Sequence, residues 1–326
     1  MATEQVPILI EETSAVCAPS LARPAHRRLN HTTVVFSFLS IYLIWGSTYL
    51  AIRYAVETIP PLYTAGIRHF VAGMILLCWC LAKRLRPTWQ QIRASIIIGA
   101  LFFLIGHGSL HWAEQQVPSG LASLLVATEP IWVFLLSALA AKQLRWNAML
   151  LTGILLGFGG VGLLMGRSAL SSGPGMFVGS LAVVGGALSW SVGIVYSRRS
   201  HLSGHPLLLS ALSLLAGSVQ LLLVGTIAGE YRRFSVASIP ARSWASLGYL
   251  ILFGSVIAFT AYNWLLEHYS PTLVATHTYI NPIVAVLLGW LLAGEAVTLN
   301  VLLSAAMVVS AVILVDRGTA RLAQQQ

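Results

Sequence analysis

The sequence predicts an all-α integral membrane protein of ten transmembrane helices, arranged as two inverted repeats of five. Three observations carry that reading. The 326-residue chain is 57% hydrophobic and only 9% charged, with a mean hydropathy of +0.80, where a soluble domain carries about 25% charged residues. Ten apolar runs follow one another, each near the roughly 17–25 residues that cross a bilayer. Residues 112–163 are also echoed at 264–315, a shift of 152 positions, with the punctuation aligned.

The elements fall in this order. Residues 1–30 are polar, with Pro19, Pro24, Arg23, Arg27 and Arg28, and read as a disordered cytoplasmic tail without a signal peptide. The apolar runs are 34–55, 62–82, 92–112, 118–140, 146–165, 176–196, 206–228, 244–266, 271–292 and 299–315. Prolines stand at several entrances (Pro60 and Pro61, Pro118, Pro206, Pro271), where a missing N–H costs a helix nothing. The first repeat spans 31–167, the second 174–316, and 317–326 reads as a cytoplasmic tail.

With the N-terminus inside, inner segments hold thirteen Lys and Arg and outer loops four: Arg167, Arg232, Arg233 and Arg242. That bias predicts both termini in the cytoplasm, and it accounts for the net charge of +9 without nucleic acid. Cys17, Cys78 and Cys80 are too few and scattered for a disulfide framework.

The internal echo is a matter of position more than identity. Trp112 meets Trp264, Pro130 meets Pro282, Glu129 meets Asn281 and Gln143 meets Glu295. At an offset of 145, Trp45 and Arg53 meet Trp190 and Arg198. Five helices per half is an odd number, so the halves cross the membrane in opposite senses. Membrane proteins so built carry a small molecule across by alternating access, with the site at the midplane between the repeats.

Pro130 and Pro282 each remove an N–H and crowd the carbonyl four residues earlier, at Val126 and Thr278. Matched helix breaks point to the site, because freed backbone is tolerated in lipid only where protein or water satisfies it. Glu129 reads as the carboxylate in the middle of a span, which costs about 2.5–3.5 kcal/mol to insert. It is the candidate for proton or cation coupling; the structural alternative is a carboxylate held by Arg68 or Arg53. Arg68 either faces an anionic substrate group or snorkels to the headgroups. Tyr42, Trp45, Tyr49 and Arg53 share one helical stripe, so Trp45 and Tyr49 are candidates for an aromatic wall. His277 and Asn281 stand at i and i+4, with Tyr262 and Asn263 on the helix before; all four are candidate hydrogen-bonding partners of substrate or of neighbouring helices.

His107, His111 and Glu114 lie at i, i+4 and i+7, a pattern that can hold a metal, although no cysteine or partner residue in the sequence supports it. The sequence calls for no metal or other cofactor. Gly153–Gly157 and Gly162–Gly166 have GxxxG spacing, close-packing faces inside the bundle or in a homodimer. No GxxxxGK[ST] or GxSxG is present, so nothing points to ATP drive or hydrolysis.

Taken together, Trp45-Gly46-Ser47-Thr48, Gly66-Ile67-Arg68-His69-Phe70, Ser119 to Leu125 with Glu129-Pro130, Asn281-Pro282 and Gly294-Glu295 resemble the drug/metabolite transporter superfamily with two EamA-type units. The run from Trp45 to Leu77 and Glu129-Pro130-Ile131-Trp132 are most similar to its YedA-like group. The resemblance covers about residues 34–315. It implies a secondary transporter of the bacterial inner membrane, usually an exporter of amino acids or other metabolites and often proton-driven. Gln143, where the second unit has Glu295, departs from the family's pattern. Two rivals stay open: a passive facilitator, and an intramembrane metal enzyme built on His107, His111 and Glu114.

Overall fold

The computed structural model describes residues 31–140, 147–171, 174–200, 204–269 and 271–323. Described residues form helices and turns, with no strand among them. Among the described residues, nine helices are long and apolar enough to cross a membrane. These are α1 (His31–Val56), α2 (Pro61–Ala82), α3 (Trp89–Ala113), α4 (Ser119–Ala140), α5 (Ala148–Ser171), α6 (Pro174–Arg199), α7 (Pro206–Ile227), α8 (Ala241–His268) and α10 (Leu299–Ala323). Between the last two comes α9, in two pieces, Pro271–Val274 and the apolar His277–Ala293. The expected N-terminal tail over 1–30, and Lys142, Gln143 and Arg145, lie outside the described residues.

One boundary differs from the sequence reading. The last helix does not end at 315 but continues to Ala323, so most of the stretch expected as a tail is helical. Asp316 therefore sits inside a span, and Glu129 is not alone as a mid-span carboxylate. The signal was present: Val312, Val315, Thr319 and Leu322 continue one buried helical face past the first charge.

Helices α2 and α4 share a problem and its solution. Each is preceded by a proline N-cap, Pro60 or Pro118, that has no side-chain oxygen for the first N–H groups. A distant glutamate supplies it. Glu230 accepts from the Leu62 and Tyr63 N–H groups at 3.2 and 2.9 Å. Glu295 accepts from the N–H groups of Ser119 and Gly120 at 2.8 and 3.0 Å and from Ser119 Oγ at 2.7 Å. An anion at a helix N-terminus also meets the positive end of the dipole.

Two helices are under-wound in matching places. Residues Ala100–His107 of α3 and Leu250–Ile257 of α8 are π-helical, 150 positions apart. A wider turn frees carbonyls from the helix ladder. Leu101 O accepts Ser189 Oγ at 2.9 Å and Gly254 O accepts Trp45 Nε1 at 3.1 Å.

Packing relies on small residues, as expected where lipid removes the hydrophobic drive between helices. Helix α5 lies along α10, and α2 along α7. A Cβ at Gly153 would sit 2.9 Å from the Ala311 carbonyl, and one at Gly157 2.2 Å from Ile131 Cδ1. The first GxxxG face is thus spent inside the bundle. Gly162 has nothing within 4 Å of where its Cβ would be.

Candidate functional site

A cavity of about 550 Å³ lies at the centre, lined by every helix except α5. Trp45, Tyr49, Arg68, Tyr262, His277 and Asn281 all line it, with Glu129, Pro130 and Pro282. Of the predicted site residues, Asn263 is not brought there. Its Nδ2 donates to Phe259 O one turn back, at 2.8 Å, because its position turns it from the face that presents Tyr262.

The breaks in α4 and α9 are stitched by side chains. In α4 the helix interrupts at Ala127 and Thr128, one turn before Pro130. Thr128 Oγ1 donates to Leu125 O at 2.7 Å and accepts from Trp132 Nε1 at 3.2 Å. In α9 the interruption is at Ala275 and Thr276. It therefore precedes Pro282 by more than a turn, instead of coinciding with Asn281-Pro282 as the sequence suggests. The carbonyls around it are taken by neighbours: Thr276 Oγ1 to Leu273 O at 2.6 Å, His277 Nδ1 to Val274 O at 2.9 Å, and Thr278 Oγ1 to Ala275 O at 2.8 Å. With its amide nitrogen turned to the acceptors, Asn281 donates to His277 O, Ile41 O and Tyr42 O at 3.2, 3.1 and 3.0 Å. Asn281 and His277 are thus first of all the residues that close the broken backbone.

The aromatic stripe of α1 divides. A π turn at Ser40–Ile44 shifts the register just before Trp45. Trp45 and Tyr49 reach the cavity, whereas Tyr42 pairs with Thr276 at 2.6 Å and Arg53 with Glu295 at 2.6 Å. Trp45 packs on His277, Tyr262 and Phe259, with ring centroids 5.0, 5.2 and 5.5 Å away. Facing it, Trp190 stacks on His107 at 5.0 Å and on Phe102 at 4.3 Å. That second aromatic wall, on α6 and α3, was not read as a wall from sequence. The signal was the match of Trp190 to Trp45.

Arg68 does not snorkel. It is 2% exposed, its Nε donates to Ser255 Oγ at 3.0 Å, and its Nη1 has no protein partner. Neither Arg68 nor Arg53 holds Glu129, because Arg68 is directed to Ser255 and Arg53 to Glu295. Arg198, at the end of α6, lines the same cavity as Glu129. Arg198 and Asp316, which accepts from Tyr279 Oη, both line the cavity and were missed.

His107, His111 and Glu114 do not converge. The π turn ends at His107 and breaks their shared face. His107 Nδ1 lies 2.9 Å from His69 Nε2, His111 Nδ1 lies 2.7 Å from His107 O, and only His107 lines the cavity. Among the described residues, no group of three His, Cys, Asp or Glu is placed to hold a metal ion.

Comparison with known proteins decides the class. Residues 32–166 and 177–316 each match the EamA-like transporter family. The chain belongs to that family. This EamA-like transporter is 37% identical over 288 residues to the "Uncharacterized inner membrane transporter YedA" of Escherichia coli (strain K12), covering 86% of this chain and 90% of the relative. It is 27% identical over 282 residues to the "Uncharacterized transporter YoaV" of Bacillus subtilis (strain 168), covering 84% and 94%. A solved crystal structure 21% identical to it superposes with a TM-score of 0.61, over 90% of this chain and 99% of its own. That last likeness shows the fold alone. The EamA-like transporter is a multi-pass protein of the inner membrane, a transporter by family and relatives.

Proposed function

We propose that the chain is a ten-helix inverted-repeat secondary transporter that exports a small metabolite, an amino acid or related compound, by proton-coupled alternating access. The observation that carries this is the pair of aromatic walls. Trp45, on the first helix of one half, bonds the π turn of the other half through Gly254. Trp190, on the first helix of the second half, stacks on the π turn of the first through Phe102 and His107. The reciprocity fits two repeats exchanging contacts around a shared site.

The state supports an inward-facing reading, with both termini cytoplasmic. The lining reaches Arg198 and Ala320 at the ends of α6 and α10, the side that the Lys and Arg bias assigns to the cytoplasm. At the other end Arg53, Glu295 and Ser119 are bound together. Glu129 is the coupling carboxylate and Arg68 the anchor for an anionic group. Tyr262 and His277 complete the wall.

Counterflow in proteoliposomes with amino acids, purines, sugars and lipophilic cations tests the reading. Exchange of one class, lost in Arg68→Ala, supports a carrier. Glu129→Gln is expected to abolish coupled transport in folded protein; wild-type rates and pH dependence in that variant would refute the assignment. Accumulation against a gradient when a pH difference is imposed separates the carrier from a facilitator.

A further inference from the structure

We propose that Glu114 is a second proton-binding site, separate from the cavity, and that its occupancy decides whether the Arg53–Glu295 pair can hold the adjacent mouth closed. The inference rests on the alternating-access reading above. Glu114 follows the last residue of α3, Ala113, and so stands just outside that span. It is 3% exposed, does not line the cavity, and neither carboxyl oxygen has a hydrogen-bond partner.

Its surroundings are charged but do not satisfy it. On one side are Tyr49 and Arg68, at the cavity wall. On the other are Arg53 and Glu295. The Arg53 main chain approaches the carboxyl and favours its ionised form, but falls short of hydrogen-bond geometry. One turn back, His111 Nε2 is buried and unpartnered, as are His69 Nδ1 and Arg68 Nη1. This cluster of unanswered polar atoms lies between the cavity and the latch, and the mechanism proposed above uses none of it except Arg68.

A bare carboxylate in such a place is strongly disfavoured, and protonation removes that cost. Burial first, and then the Glu295 charge, push the Glu114 carboxyl well above the usual carboxylate range, against the pull of Arg53 and Arg68. With Glu114 neutral, Arg53 and Glu295 form a balanced pair, and Glu295 can tie α1 to the start of α4. With Glu114 ionised, two carboxylates compete for Arg53 and the latch is weakened. Opening admits water, which takes the proton from Glu114 on that side and leaves the carboxylate solvated.

The test uses full-length protein in lipid, with Cys17, Cys78 and Cys80 replaced and spin labels on Gln115→Cys and Ala296→Cys, two exposed positions flanking the latch. The probe is the proton alone, titrated without substrate. A shift from short to long label separation with rising pH is expected, together with loss of one carboxylic-acid infrared band. Glu114→Gln is expected to lack that band and to stay at the short separation throughout, while Glu129→Gln keeps both changes. The same pH-dependent opening in Glu114→Gln, or no band assignable to Glu114, overturns the proposal. Transport separates it from the reading beneath. If the wild type shows the band and the opening but no counterflow, the transporter reading fails alone. If it transports and Glu114→Gln keeps proton-driven accumulation, the Glu114 inference fails alone.

Discussion

The Trp190 indole lies flat on the His107 imidazole, ring centroids 5.0 Å apart and planes at 16°. The contact joins α6 to the π turn of α3 and makes a rigid wall opposite Trp45. An aromatic pair of this kind contributes about 1 kcal/mol beyond its buried area. Trp190→Ala is expected to weaken substrate exchange about fivefold, and Trp190→Phe to preserve it. Binding should also change tryptophan emission in the wild type, and half-saturation from that signal provides the check.

Glu295 does two jobs, and its variants should separate them. Glu295→Gln keeps an acceptor for the Ser119 and Gly120 N–H groups but loses the charge opposite Arg53. Glu295→Ala loses both and leaves a helix N-terminus uncapped in a buried place. The alanine variant is expected to cost about 3 kcal/mol and the glutamine variant less. Thermal unfolding in detergent or nanodiscs measures the order; equal loss in both would mean that the cap contributes little.

The glycine face of α5 gives a prediction with a built-in control. Gly157→Val adds atoms where a Cβ alone would lie 2.2 Å from Ile131 Cδ1, overpacking that costs about 1–3 kcal/mol. Gly162→Val, with open space around it, is expected to leave stability unchanged. Thermal unfolding of the two side by side decides. A sensitive Gly162 would show that its face is covered in the membrane, by a second copy or another partner.

Asn281 is predicted to act through its donors. Asn281→Asp keeps the shape but offers no N–H to His277 O, Ile41 O and Tyr42 O. A loss of about 1–3 kcal/mol for the stranded carbonyls is expected, close to that of Asn281→Ala. If Asn281→Asp is as stable as the wild type but transports poorly, the amide serves substrate instead of the broken helix.

What the sequence determined by itself was local and periodic. Composition made the chain a membrane protein, run length placed the helices, and the aligned Glu129-Pro130 and Asn281-Pro282 pointed to the interrupted helices and to part of the cavity wall. Trp45, Tyr49, Arg68, Tyr262 and His277 were found this way, because facing a shared centre imposes spacing that one strand of text retains.

Only the tertiary structure decided which charge meets which. Arg53 and Glu295 are 242 positions apart, and Arg68 is directed to Ser255 and not to Glu129. Pairing depends on which helix faces meet and on register shifts, such as the π turns, that helical periodicity does not carry. Asp316 was hidden by a rule of thumb, that the first charge after an apolar run ends the span. A carboxylate facing an internal cavity escapes that rule, because the cavity and the Tyr279 hydroxyl, not lipid, surround it.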